Sequence, residues 1–429
     1  MNINDEDSSD PEMLTTPQSE VKISWSEKLA IQLERINNSN TSLIKVKSQM
    51  NEMVNNVKYG SWKLTPSKDL NKEYNKGKQI FVLGKNFFDY YHKSSMSNNF
   101  EAYLRFFKSR IWMTYRKSIP TLPYSNQTSD CGWGCMIRGI QMMTCQVLSR
   151  LAVDENDDCC EIEAESFRDI IKLYDDSNTG QLGIYEFLEC SKSHYNKPIG
   201  EWFTPNEAAS TMSYLINKNN LSRNPLLSKF AIYCPTNCCV ELNMVEEASD
   251  NWNKSVLIIV PVRLGLKKVN KCYYEHFKVL FSTEACVGIL GGKPKRALYL
   301  IGCYDNELIY LDPHMAQPYV DLSNNEASLQ SYFCQDPQKI DFANIDPSCG
   351  IGLLVNSKKQ LDETIKMLNL YQVISHELLD GSNKKVENPI FTVVDNSSQI
   401  KNYSPKKLER ARNELSTCSH NSENEFEIL

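Results

Sequence analysis

Apolar positions along the chain follow two kinds of period. Short unbroken runs have the length and β-branched content of strands: "IFVLG" (80–84), "FAIYC" (230–234), "VLIIVPVRL" (256–264), "ALYLIGC" (297–303), "ELIYLD" (307–312) and "GIGLLV" (350–355). Between them, apolar residues spaced three and four apart predict helices near 98–116, 135–151, 166–174, 205–217 and 358–370. "ALYLIGCYDNELIYLD" reads as a hairpin turning at Asp305-Asn306. The elements mix without a βαβ rhythm, which predicts an α+β fold rather than a doubly wound α/β one.

The flanks carry a different pattern. Residues 1–23 are polar and acidic with no apolar period and are expected to be disordered. "SLIKVKSQMNEMVNNVKYG" places Val46, Met50, Met53, Val54 and Val57 on one face of an amphipathic helix near 43–58, with Gly60 as its stop. That helix is expected to dock on the main domain. After about Ser375 the chain turns polar and rich in Asn, Ser and Lys, broken by two short apolar islands. The expected organisation is an N-terminal extension over 1–59, a globular domain over 60–375 and a mobile tail over 376–429.

Composition narrows the function. The 429 residues are 41% hydrophobic, enough for a sizeable core, and the net charge of −6 without a basic block gives no reason to expect nucleic-acid binding. No apolar run approaches the ~20 residues that span a bilayer. The start, "MNINDEDSSDPEM", is not a secretory signal. A soluble, cytoplasmic protein is expected. Its 15 cysteines are then mostly free thiols, and spacings such as "CPTNCC" (Cys234, Cys238, Cys239) do not match a zinc ribbon. "DDSNTGQLGIYE" (Asp175 to Glu186) has the outline of a calcium loop, but Ser177 and Thr179 offer hydroxyls where strong sites use carboxylates or amides. A surface turn between two helices is the expectation there.

The chemistry concentrates in "TSDCGWGCMIRGIQMM" (128–143). Apolar residues at Met136, Ile140, Met143, Val147, Leu148 and Leu151 predict a helix with one buried stripe, entered through Gly132 and Gly134. Cys135 falls in its first turn, where unpaired N–H groups and the helix dipole favour a thiolate. Cys131 lies before the turn and lacks that advantage. A base is offered by "ELIYLDPHMAQP": in an extended segment Asp312 and His314 point the same way, and Pro313 stiffens the geometry. Asp312 could orient His314 and stabilise its charged form beside Cys135. His276 in "YYEHFKV" is the rival base, without a carboxylate placed by the same logic.

"TSDCGWGCMIR" and "LIYLDPHMAQP" resemble the two signature segments of the autophagin family of papain-like cysteine proteases. The resemblance continues through "RIWMTYRKSIP", "KPIGEWFTPNEAA", "VGILGGKPKRALYLIG" and "DPSCGIGLL", covering roughly residues 78–370 in matching order. It implies a papain-like fold with a central, mostly antiparallel sheet flanked by helices. It implies Cys135 as nucleophile, His314 as general base, Asp312 as its orienter and Tyr115 as support for the oxyanion. Trp202 and the loop Gly291-Gly292-Lys293-Pro294 match elements that cover the catalytic groove. The implied activity is cleavage after the C-terminal glycine of ubiquitin-like autophagy modifiers of the GABARAP kind, maturing precursors and releasing the phosphatidylethanolamine-linked form. No metal or organic cofactor is implied, and contact with autophagic membranes would be transient, through substrate. A monomer is expected. The alternative is a weakly active modifier-binding scaffold or tether, and a cysteine-based redox or metal sensor is a third reading. Phe426 and Leu429 in "ENEFEIL" resemble a modifier-interacting motif, and Phe391 and Val394 in "NPIFTVVD" offer a weaker one.

Overall fold

The computed structural model describes residues 41–60, 78–87, 96–152, 164–220, 225–376, 386 and 388–395. The terminal pair Phe426 and Leu429 lies outside the described residues. The chain forms two compact units, Met1–Asn51 and Glu52–Leu429, and the second contains the sheets, the core and the candidate site.

Helix α1 is Thr41–Gly60. Strands β1 (Ile80–Val82) and β2 (Lys85–Asn86) form a small hairpin, and helix α2 is Met96–Lys108. β3 (Arg116–Lys117) precedes the central helix α3 (Cys135–Ala152). Helices α4 (Ala164–Lys172), α5 (Ile184–Tyr195) and α6 (Pro205–Asn220) follow. Next come β4 (Phe230–Tyr233), β5 (Cys239–Glu241), α7 (Leu242–Ala248), β6 (Ser255–Arg263) and α8 (Tyr274–Ser282). The last part is strand-rich: β7 (Cys286–Lys293), β8 (Arg296–Tyr304), β9 (Glu307–Leu311), β10 (Gln317–Pro318), β11 (Gln338–Asp341) and β12 (Ser348–Val355). Helix α9 (Lys358–Leu370), β13 (Ile374–His376) and β14 (Phe391–Val394) complete it.

The main sheet runs β11-β9-β8-β7-β12-β6-β4, with β1 and β2 branching from β8. Every pairing in it is antiparallel except β4 with β6. An α+β fold is what the sequence pattern predicts, and a mostly antiparallel sheet is what the resemblance implies.

Both faces of this sheet are covered. On β6, Leu257 and Ile259 enter one apolar core while Val256, Ile258, Val260 and Val262 enter the other. On β8, Tyr299 and Ile301 alternate in the same way with Leu298 and Leu300. Two-sided burial explains why these strands read as continuous apolar runs and not as an in-out alternation.

Several elements differ from expectation. α2 stops at Lys108 rather than near 116, because Ile111 leaves to bridge Phe333 and the following residues line the candidate site. β7 is a full strand that its Gly-rich sequence hid. The island at 388–395 does not offer Phe391 and Val394 to a partner. Both are buried, in a strand lying between β5 and β13 in a small parallel sheet.

Helix α3 has no single stripe: it is buried from Cys135 through Ser149. Its polar residues are therefore partnered inside the protein, as burial demands. Gln141 donates to the Leu182 carbonyl (3.0 Å), and Thr144 donates to Ile140 (2.9 Å) and accepts from the Tyr174 hydroxyl (2.8 Å).

Candidate active site

Three chain-distant segments meet at the start of α3. The turn 130–134 hands the chain into the helix, with Gly134 N–H donating to the Asp130 carbonyl at 2.9 Å. Gly132 takes φ +92°, and a Cβ on Gly134 would strike the Asp130 carboxylate, so this turn demands both glycines.

Asp130 is the organiser. Its carboxylate accepts the Arg116 backbone N–H at 2.7 Å and the Arg138 Nε–H at 2.8 Å. Arg138, one turn into α3, also reaches Asp176 at 2.8 Å. All three charged side chains are buried, so each depends on the others. The result ties the turn, the helix and the 115–117 segment into one rigid piece.

The calcium-like loop gains a different role here. Asp175 and Asp176 are buried rather than on a surface turn. Asp175 Oδ2 accepts from Ser177 (2.6 Å) and Thr179 (2.8 Å), and Glu186 pairs with Lys218 (2.7 Å). Asp175 Oδ2, Ser177 and Thr179 are thus engaged with one another and Glu186 with a lysine, while Asp175 Oδ1 has no hydrogen-bond partner among the described residues.

The second segment is 111–117. β3 pairs in parallel with β10, setting Arg116 beside Gln317. Tyr115 N–H donates to the Pro313 carbonyl, and Gln317 N–H to the Tyr115 carbonyl, both at 2.9 Å. These bonds bring Tyr115 against the third segment, which carries Asp312 and His314. The Tyr115 and His314 rings meet edge to face, centroids 5.4 Å apart. The Tyr115 hydroxyl is buried with no hydrogen-bond partner, and burial followed by the neighbouring Cys135 sulfur pushes its pKa up. It is a neutral donor aimed at the site.

Asp312 Oδ1 accepts from His314 Nδ1 at 2.6 Å and from the His314 backbone N–H at 3.0 Å. The Trp112 indole N–H holds the Asp312 carbonyl at 2.8 Å. Burial opposes charging of His314, but the Asp312 hydrogen bond and then the Cys135 sulfur outweigh it, and the imidazole is held above its ordinary basicity. Burial likewise opposes ionisation of Asp312, yet His314, followed by Arg296, holds its carboxyl below the usual range.

His314 Nε2 closes no conventional hydrogen bond, although the Cys135 sulfur lies close enough to bias the ring's protonation. A loose contact of this kind is ordinary for a nucleophile and base before substrate binds. Cys131 is different: burial, then Asp130, pushes its thiol up to about 12, so it stays protonated. His276 lies on α8, its ring beside Tyr273 at 5.9 Å, with burial lowering its pKa.

The remaining expected residues fall around this centre. The Trp202 indole N–H donates to the Gly132 carbonyl at 2.8 Å, which fixes it beside the turn leading to Cys135. Gly291, Gly292 and Lys293 were expected in a loop. They form the end of β7, paired with Leu298, Ala297 and Arg296, and only Pro294 with Lys295 makes the turn.

Sequence reasoning missed two neighbours. Arg296 pairs with Asp312 Oδ2 at 2.6 Å. Tyr59, at the end of α1, meets Tyr115 edge to face with centroids 5.4 Å apart and lies tilted 6.0 Å from His314, and its carbonyl accepts the Ala316 N–H.

α1 docks through polar contacts, and part of its apolar stripe faces away. Glu52 accepts from the Thr128 hydroxyl (2.6 Å), Asn55 donates to the Cys131 carbonyl (3.1 Å) and Asn56 accepts from Ser129 (3.1 Å). Met53 and Val57, on the predicted stripe, are 69% and 64% exposed. The partner surface is hydroxyls and carbonyls, which match amides and a carboxylate and not methyl groups. Under this cover Cys135 is 1% and His314 2% exposed. The only sequence signal for it was the polar cluster Glu52, Asn55 and Asn56 on one helical face.

The arrangement can do acyl transfer. It sets a thiol at a helix start, an imidazole of raised basicity beside it, a carboxylate behind the imidazole and a neutral hydroxyl in front. Among the described residues no helix is long and apolar enough to cross a membrane.

Comparison with known proteins agrees with this chemistry. A family model described as the peptidase C54 catalytic domain matches residues 100–367. "Cysteine protease atg-4.2" of Caenorhabditis elegans is 31% identical over 79% of this chain and 70% of its own. "Cysteine protease atg4da" of Danio rerio is 29% identical over 83% of this chain and 82% of its own. "Cysteine protease ATG4C" of Homo sapiens is 28% identical over 83% of this chain and 90% of its own. With a thiol, an imidazole and a carboxylate gathered at the mouth of a buried helix, and a family match spanning them, this chain belongs to the peptidase C54 family of cysteine proteases, the autophagins.

Proposed function

We propose that this protease cleaves after the C-terminal glycine of ubiquitin-like autophagy modifiers of the GABARAP kind. It matures their precursors and releases the phosphatidylethanolamine-linked form. Cys135 is the nucleophile, His314 the general base, Asp312 its orienter, and Tyr115 with the Cys135 N–H the oxyanion support. The observation that carries the reading is the Cys135–His314–Asp312 arrangement at the start of α3, with Tyr115 held against it by β3 and β10.

The Cys135 thiolate attacks the carbonyl carbon of the terminal glycine, and the carbonyl oxygen takes the negative charge in front of Tyr115. His314, protonated as the thiolate forms, delivers its proton to the departing amine. That amine is a downstream peptide or the lipid head group. The acyl group remains on sulfur as a thioester. Water, deprotonated by His314, then attacks the thioester, releases the glycine carboxylate and restores the thiol. Trp202 beside the turn and the β7–β8 hairpin beside Asp312 flank the site, which favours a substrate residue without a Cβ.

The protein acts as a monomer in the cytoplasm and meets membrane only through lipidated substrate. The test is incubation of purified protein with a modifier precursor extended beyond its glycine. Wild type and Cys131→Ala cut after the glycine, and Cys135→Ala does not. An active Cys135→Ala variant would overturn the assignment.

A further inference from the structure

The catalytic carboxylate has two customers. Asp312 Oδ1 serves His314, through Nδ1 at 2.6 Å and the backbone N–H at 3.0 Å. Asp312 Oδ2 serves the Arg296 guanidinium, also at 2.6 Å. Arg296 is the first residue of β8, two positions beyond Pro294 at the exposed tip of the β7–β8 hairpin. Asp312 directly follows the neighbouring β9, with its carbonyl pinned by Trp112. The carboxylate is therefore held by two residues, His314 and Arg296, and the second belongs to the hairpin.

We propose that Arg296 is a positioning residue of the protease site. It locks the Asp312 carboxylate toward His314 and takes up part of its charge, so that placement of the β7–β8 hairpin sets how strongly the base is supported. This rests on the protease reading above.

The physical argument is charge sharing. A guanidinium at hydrogen-bond distance offsets part of the field that the carboxylate projects onto the imidazole. Asp312 is buried, so bulk water screens little of this. With Arg296 seated, His314 is oriented but only partly supported as a cation. With Arg296 withdrawn, by movement of the hairpin or by substitution, the full carboxylate charge faces the imidazole and the thiolate–imidazolium pair gains population.

The other groups facing this pair would not replace Arg296. Tyr59, Tyr115 and Tyr310 have their pKa values raised, first by burial, and stay neutral. Cys334, near Asp312, is pushed up to about 12 by burial, and Cys131 likewise. Cys135 is the partner in the reaction itself. Arg296 is the one cation that pairs with Asp312 among the ion pairs of the described residues, His314 apart. The alternative is a plain surface ion pair, since the Arg296 side chain is 33% exposed.

The experiment compares wild type, Arg296→Gln and Arg296→Lys in two readouts across pH. One is kcat/KM for a modifier precursor. The other is iodoacetamide alkylation of Cys135, followed on its peptide by mass spectrometry. Arg296→Gln should move the alkaline limb of the kcat/KM profile up, and the acid-side rise of the alkylation profile down, each by about 0.5–1 pH unit, a charge effect of ordinary size. That corresponds to about 3–10-fold more relative activity on the alkaline limb. Arg296→Lys, which keeps the charge, should hold both wild-type limbs. A plain strap predicts lower thermal stability with both limbs unmoved, and that result overturns the proposal. Equal shifts for Gln and Lys overturn it too. Wild type that fails to cut the precursor would remove the functional reading, while the alkylation profiles would still decide the role of Arg296.

Discussion

Replacing Asp312 with Asn probes the support of the base directly. The change keeps size and an acceptor oxygen, so the bond from His314 Nδ1–H, 2.6 Å in the structure, can persist. What is lost is a charge in a buried site. An opposite charge at such range shifts a titrating group by about 1–2 pKa units. Each unit corresponds to about 1.4 kcal/mol of support for the imidazolium. His314 should thus lose roughly 1.4–2.8 kcal/mol of stabilisation as a cation, and the thiolate–imidazolium population should fall about 10–100-fold. The assay is kcat/KM on a modifier precursor from acid to alkaline pH, with the thermal midpoint measured alongside. Activity near neutral pH should drop by that factor, and the alkaline limb should move down.

Stability should respond with a definite sign. His314 has a raised folded pKa, so its contribution is complete below its ordinary value of 6.5 and is lost as pH rises through the folded value. Asp312 has a lowered folded pKa, so its contribution is present above its ordinary value of 3.8 and is lost as pH falls through the folded value. The Asn variant should therefore lose most stability between those two ordinary values. A variant within about threefold of wild-type activity, with an unmoved alkaline limb, would refute the assignment of Asp312, since a charge effect of even one unit is tenfold.

The packing sets three further expectations. Arg138→Met strands Asp130 and Asp176 as buried charges and should cost about 3–5 kcal/mol, read as a lower urea midpoint; a loss below about 1 kcal/mol would mean that water reaches these groups. Phe391→Ala should cost a similar amount, about 3–5 kcal/mol, while kcat/KM per folded molecule is unchanged; lost modifier binding at full stability would instead favour a docking role for that strand. Tyr59→Ala removes an edge-to-face contact worth about 0.5–1.5 kcal/mol and should raise Cys135 alkylation by roughly 2–10-fold, and an unchanged rate would show that α1 does not limit access.

Much of the site could be read from short stretches of chain. The start of α3 at Cys135 follows from two glycines and an apolar period, and both are local properties. The Asp312–His314 pair follows from the two-residue repeat of an extended strand. Arg296 left no such trace, since a cation two residues past Pro294 gives no sign of which carboxylate it will meet. The face by which α1 docks left no such trace, because a helical period identifies which face is apolar, not which face its partner surface will accept.

Local order along the chain is thus enough to choose an α+β fold, place most of its principal strands and single out one cysteine from 15. Tertiary structure decided the rest. It buried α3 on all sides, hid Phe391 and Val394 in a parallel strand, seated Tyr59 on the candidate triad and set Arg296 on its carboxylate. The division has one physical cause. Propensity and periodicity act over a few residues, whereas burial, ion pairing and the choice of docked face depend on what chain-distant segments present to each other after collapse.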